Sequence, residues 1–76
     1  MINFLFNFNH PDFTPYTYRV TQFRMGTAFE VFSSEDVLIG SILKGQDGWV
    51  QYSGRMMPEE LVNDIGMHID DNNLRS

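Results

Sequence analysis

Gly48–Asp70, GWVQYSGRMMPEELVNDIGMHID, carries a strand, a break and a helix in succession, and the rest of the chain is arranged around that junction. Pro58 suits a first helical turn, where its missing N–H costs nothing. Glu59 and Glu60 then place negative charge at the positive end of the helix dipole. Leu61, Val62, Ile65, His68 and Ile69 recur at spacings of three and four and share one face. Asn63, Asp64, Met67 and Asp70 fall mostly on the other side, and Asp71, Asn72 and Asn73 end the pattern. The spacing predicts a helix over 58–70. Two features oppose it: Gly66 costs roughly 1 kcal/mol against Ala in a helix interior, and two Asp at the C-terminal end oppose the dipole. A helix of this length is marginal alone in water and needs a tertiary partner. Gly66 offers that partner a flat place to approach.

The partner lies upstream. Phe4, Phe6 and Phe8 alternate with Asn3, Leu5 and Asn7, the period-two pattern of a strand over 3–8. His10, Pro11 and Asp12 break the pattern and Pro15 interrupts it again, so residues 10–15 read as a loop. A second strand is expected over 16–25, with Tyr18 and Val20 on one face and Thr17, Arg19, Thr21 and Phe23 on the other. Gly26-Thr27 turns the chain into a third over 28–32, where Phe29 and Val31 oppose Glu30 and Phe32. Ser33–Asp36 is a polar connection. A fourth strand over 37–44 is apolar on both sides, as for a central strand, and Gly40 within it marks a bulge or a close approach. Gly45–Gly48 is a hairpin turn with the Asp-Gly pair, and Trp49–Tyr52 pairs back. The expected fold class is α+β: one domain, an antiparallel meander of four to five strands with a C-terminal helix packed on one face.

Within this pattern, the run from Ile39 to Ile69, pairing IGSILKGQDGWVQYSG with MPEELVNDIGMHID, resembles small uncharacterised bacterial proteins. In these, a hairpin ending in a Gly-Trp strand precedes a helix with a Leu-Val…Ile-Gly…Ile pattern. The resemblance implies the fold and a bacterial setting; it brings no activity and no site residue.

Composition narrows function by exclusion. Seventy-six residues build one small core, and a chain this short buries only about 60% of its unfolded surface. The absence of Cys removes disulfides, thiolate metal sites and a thiol nucleophile. With no signal-peptide pattern and no long apolar run, the chain reads as soluble and cytoplasmic, with no membrane partner. Ten acidic against five basic residues, a net charge of −5, is the wrong balance for a nucleic-acid binder. Arg19 and Arg24 among Tyr16, Tyr18 and Phe23 are the one arrangement suited to stacking bases, and ordinary strand composition accounts for it. Ser33, Ser34, Ser41 and Ser53 carry no nucleophile motif, and Glu59-Glu60 and Asp70-Asp71 are accounted for by helix ends. No catalytic residue is assigned and the chain reads as a non-enzyme. His10, Asp12, His68 and Asp70 offer imidazole and carboxylate to a metal only if the chain ends meet, and their spacing matches no metal signature. No metal ligand and no cofactor is assigned.

The informative surplus is aromatic: seven Phe, three Tyr and one Trp. One helix covers one sheet face, and Phe4, Phe6, Phe8, Tyr16, Tyr18, Phe29, Phe32 and Trp49 exceed what fits beneath it. The expected interaction surface is Phe4, Phe6, Phe8, Tyr16, Tyr18 and Trp49, with Met56 and Met57 adding adaptable apolar surface at the sheet–helix junction. The leading expectation is a protein-interaction module that forms a homodimer, or binds another protein, through the aromatic sheet face or an edge strand. Two alternatives stand beside it. One is a small-ligand or metal-binding domain, or a catalytic one, with a sheet–helix pocket near Trp49 and Met56-Met57. The other is an acidic inhibitor of a basic nucleic-acid-binding protein.

Overall fold

The structure, a computed structural model, describes residues 2–10, 15–24, 28–72 and 74. Strands β1 (Asn3–Asn9), β2 (Pro15–Arg24), β3 (Ala28–Phe32), β4 (Leu38–Gly45) and β5 (Gly48–Gly54) precede one helix, α1 (Glu59–Asp71). They form a single antiparallel sheet in the order β1-β2-β3-β4-β5. The α+β meander with one C-terminal helix is therefore the observed fold. Met25, the Gly26-Thr27 turn, Pro11, Asp12 and Asn73 lie outside the described residues.

The element ends differ from the sequence pattern for local reasons. Val37 does not open β4: it closes the turn in which Ser33 N donates to Val37 O and Ser33 Oγ accepts from the amides of Glu35 and Val37. Asp36 takes φ 64 there, a left-handed conformation that Asp tolerates. In the β4–β5 hairpin the left-handed angle falls on Gly48, φ 123, and not on Asp47. β5 runs on to Gly54 because Gly40 and Gly54 pair face to face; a Cβ on Gly54 would land on the Gly40 Cα. The ladder shifts register on both sides of Gly40, so this glycine serves a bulge and a close approach at once. Pro58 stands at the N-cap, with extended ψ 138, one position before the first helical turn.

Period-two alternation sorts the sheet into two faces. Phe4, Phe6, Phe8, Tyr16, Tyr18, Val20, Phe29, Val31, Ile42 and Trp49 share the side on which α1 lies. The helix turns Leu61, Val62, Ile65, Gly66 and Ile69 towards them. Gly66 sits on the Trp49 ring so closely that a Cβ there would overlap Trp49 Cγ and Cδ1. The helix-breaking residue is thus the point of closest approach. One turn on, Asp70 Oδ2 accepts from Trp49 Nε1 at 3.1 Å and pairs with Lys44 Nζ at 2.6 Å. That pairing answers the unfavourable charge at the C-terminal end: Asp70 faces a lysine on the sheet rather than the helix dipole alone.

The opposite face is polar through its middle. Thr17 Oγ1 donates to Asn7 Oδ1, Thr21 Oγ1 donates to Asn3 Oδ1, and Arg19 reaches Thr21 Oγ1 and Asp36 Oδ1 while lying 4.2 Å over the Phe32 ring.

Candidate functional site

The residues expected to form an interaction surface separate into three groups. Phe8, Tyr18, Trp49 and Met57 are buried in the core. Phe4, Phe6 and Tyr16 are half-buried against it. Met56 is 95% exposed. Of the aromatics expected to exceed the space under the helix, only Phe32 stands on the far face. The others are accommodated by ring-on-ring layering: Tyr16 on Tyr18 at 4.7 Å, Phe29 on Trp49 at 5.8 Å, and Phe4 under the His68 imidazole at 4.9 Å.

Phe4 and Phe6 lie on β1, which ends the sheet on one side. Gln22 N donates to Ile2 O, which fixes the phase of the β1–β2 ladder. Continued along uninterrupted register from Asn3↔Thr21 to Asn9↔Pro15, it points the main-chain groups of Phe4, Phe6 and Phe8 to β2. Those of Asn3, Leu5, Asn7 and Asn9 point away from the sheet. Soluble proteins blunt such an edge with Lys, Pro, a bulge or a covering loop. β1, NFLFNFN, holds no charge and no Pro, its ladder has no bulge, and Leu5, next to its centre, is 70% exposed. The Thr17–Asn7 and Thr21–Asn3 hydrogen bonds tie this edge to β2 on the polar face.

At the end of β1, His10 Nε2 and Tyr18 Oη share a hydrogen bond of 2.7 Å, with Phe8 and Tyr16 rings beside the imidazole. Burial, and secondarily the neighbouring Tyr16, hold the Tyr18 phenol above its ordinary 10.0. A folded-state pKa above the unfolded one means stability that is full below pH 10.0 and lost as pH rises through the folded value. Urea midpoints measured between about pH 9 and pH 12 are expected to fall, and to fall less in Tyr18→Phe. Equal slopes in the two proteins would mean that this hydroxyl is not responsible.

The other sheet edge, β5, is built differently. An open cleft of about 250 Å³ lies between β5 and the start of α1, lined by Trp49, Val50, Gln51, Met57, Glu59 and Val62. A second cleft of about 250 Å³ is lined by Gln51, Tyr52, Ser53, Gly54 and Met56. The expected sheet–helix pocket thus exists beside Trp49 and Met57, while Met56 belongs to the second cleft. Gln51 forms the wall common to both. Its Nε2 donates to the carbonyls of Ser53 and Arg55 and its Oε1 accepts from Met57 N, so one side chain fixes the whole connection into α1. No sequence signal marks this role, because the partners are main-chain groups.

The residues weighed for a metal do not gather. His68 lies on Phe4 and Phe6, His10 on Phe8, and Asp70 on Lys44 and Trp49; Asp12 is outside the described residues. Among the described residues no three His, Cys, Asp or Glu side chains converge. Arg19 and the two tyrosines of β2 are on opposite faces, so they form no joint base-stacking strip; the Arg24 side chain lies outside the described residues. Among the described residues no helix is long and apolar enough to cross a membrane. Comparison with known proteins finds no matching family model, no matching curated protein and no matching solved structure.

Proposed function

We propose that this chain is a protein-interaction module that self-associates through the free edge of β1. The observation that carries the reading is the seven-residue β1 edge, free of charge, Pro and bulge, beside half-buried Phe4 and Phe6. Two copies meet antiparallel about Phe6, so that Leu5 faces Asn7 of the second copy and their outward main-chain groups pair. The sheets then run on continuously, with Phe4 opposite Phe8 across the join. Cross-strand aromatic pairs each add roughly 0.2–1 kcal/mol. With no charge on β1, the association is insensitive to salt.

Light scattering after size exclusion, at two protein concentrations and two salt levels, tests this directly. The expected mass is twice that of the 8.9 kDa chain at both salt levels. Leu5→Pro removes an N–H that points out of the sheet and no side-chain hydrogen bond, so the β1–β2 ladder survives while the join loses one bond per copy by symmetry. Those two bonds amount to about 1–3 kcal/mol, a five- to hundred-fold rise in the dimer Kd. Leu5→Lys places a charge on the same edge and acts in the same direction. A wild-type monomer at high concentration, or a dimer indifferent to both substitutions, sinks the proposal.

A further inference from the structure

Building on the self-association through β1 proposed above, we infer that the near-palindromic sequence of this strand selects a second copy as its partner, sets the register about Phe6 and closes the assembly at two. Read outward from Phe6, NFLFNFN has Leu5 and Asn7, then Phe4 and Phe8, then Asn3 and Asn9. An antiparallel join on a twofold axis places residue i against residue j and j against i, so a strand fits itself when such positions match. Ring meets ring at Phe6–Phe6 and Phe4–Phe8 on the face that carries α1, and amide meets amide at Asn3–Asn9 on the polar face. Leu5–Asn7 is the one unlike pair, and both side chains are exposed. The centre of the palindrome is also the centre of the strand. Only this register brings all the outward main-chain groups of β1, those of Asn3, Leu5, Asn7 and Asn9, into the join. Moving the axis to Asn7 leaves Asn3 and Phe4 past the end of the partner strand, and moving it to Leu5 does the same to Phe8 and Asn9. A slip of one residue sets outward groups against inward ones.

The other edge of the sheet does not offer β1 a place. β5 begins and ends on left-handed glycines, Gly48 at φ 123 and Gly54 at φ 92, and its ladder with β4 is bulged between Ser41 and Ile42. Gln51, at its centre, donates to the carbonyls of Ser53 and Arg55 and so holds the departing chain beside the strand. Bulges and short regular stretches are how sheet edges resist an added strand. The side chains mismatch as well: laid centre on centre, β1 sets Phe6 against Gln51, and Asn7 against Val50 or Tyr52. A β1–β5 join is head to tail and adds copies without limit, whereas a β1–β1 join uses up the one regular edge that each copy presents.

The chain has no Cys, so introduced thiols report the register directly. Directly opposed residues of an antiparallel join have Cα atoms about 4.5–5.5 Å apart, within the span of a disulfide, while diagonal neighbours stand about 7–8 Å apart, beyond it. Leu5→Cys chains mixed with Asn7→Cys chains under oxidised glutathione are expected to cross-link about tenfold faster than either variant alone, because residue 5 faces residue 7 of the second copy. Both positions are exposed, and the urea midpoint of each reduced variant checks that the sheet is intact. The wild-type mass at the highest attainable concentration is expected to stop at twice the 8.9 kDa chain. Equal cross-linking in the unmixed variants, or masses beyond two copies, overturns this inference and leaves self-association through β1 standing. A wild-type monomer at every concentration overturns both.

Discussion

Phe29→Ala is expected to lower the unfolding free energy by about 3–5 kcal/mol, the range for emptying a buried aromatic site. Phe29 is fully buried on the central strand β3, opposite Gln22 on one side and Ile42 on the other, with its ring edge-on to Trp49 at 5.8 Å. The ring therefore joins the sheet's middle to the residue on which α1 rests. Its removal opens a cavity that strands paired on both sides cannot close by collapse. At about 0.05–0.15 kcal/mol per residue, a domain of this length has roughly 4–11 kcal/mol in total, so the loss is about a quarter or more of the whole. Urea unfolding of both proteins at one fixed concentration measures it. Phe29→Leu, which keeps most of the volume, is expected to cost about 1.5 kcal/mol or less. A loss below 1 kcal/mol for the alanine variant would contradict the packing described.

Gly66→Ala sets two effects of opposite sign against each other. Helix propensity favours alanine by about 1 kcal/mol. Against this, the new methyl overlaps the root of the Trp49 ring, at Cγ and Cβ rather than at a flexible tip, so the helix or the indole must move. Overpacking of this kind costs about 1–3 kcal/mol. A displaced indole also loses its bond to Asp70, and a hydrogen bond to a charged group contributes about 1.5–3 kcal/mol. Packing outweighs propensity, and the net expectation is a loss of about 2 kcal/mol, read as a lower urea midpoint and a changed Trp49 emission. The sign reverses in a Trp49→Ala background, where Cγ and Cδ1 are gone and only the Cβ contact at 2.8 Å is left to ease by a small shift, so that Gly66→Ala should stabilise by up to about 1 kcal/mol. That reversal, obtained as a double-mutant cycle, separates a packing glycine from one needed for helix flexibility.

Much of this architecture is written in local pattern. The alternation in Phe4–Phe8, Tyr16–Thr21 and Phe29–Phe32 assigns each side chain to the face it occupies, because a strand's period is two whatever it packs on. The three-four spacing from Leu61 to Ile69 likewise marks the buried stripe of α1. Gly66 and Gly40 were legible as places of close approach, since a glycine inside a regular element is costly unless something needs the room. The outward surface was harder to read. The sequence lists aromatics without saying how rings stack, and stacking draws Phe8, Tyr18 and Trp49 into the core.

By itself, then, the sequence determined the order of the elements, the alternation of faces in β1 to β3 and along the helix, and the position of the hairpin. It did so through periods and turn residues that act over a few positions. Only the tertiary structure decided that β1 and β5 are the two edges, that Asp70 meets Lys44 and Trp49, and that Gln51 braces the β5–α1 connection. The physical reason is range. Periodicity and turn chemistry are set by neighbours in the chain. An edge is defined by which strand lacks a partner, and the Lys44–Asp70 pair joins residues 26 positions apart.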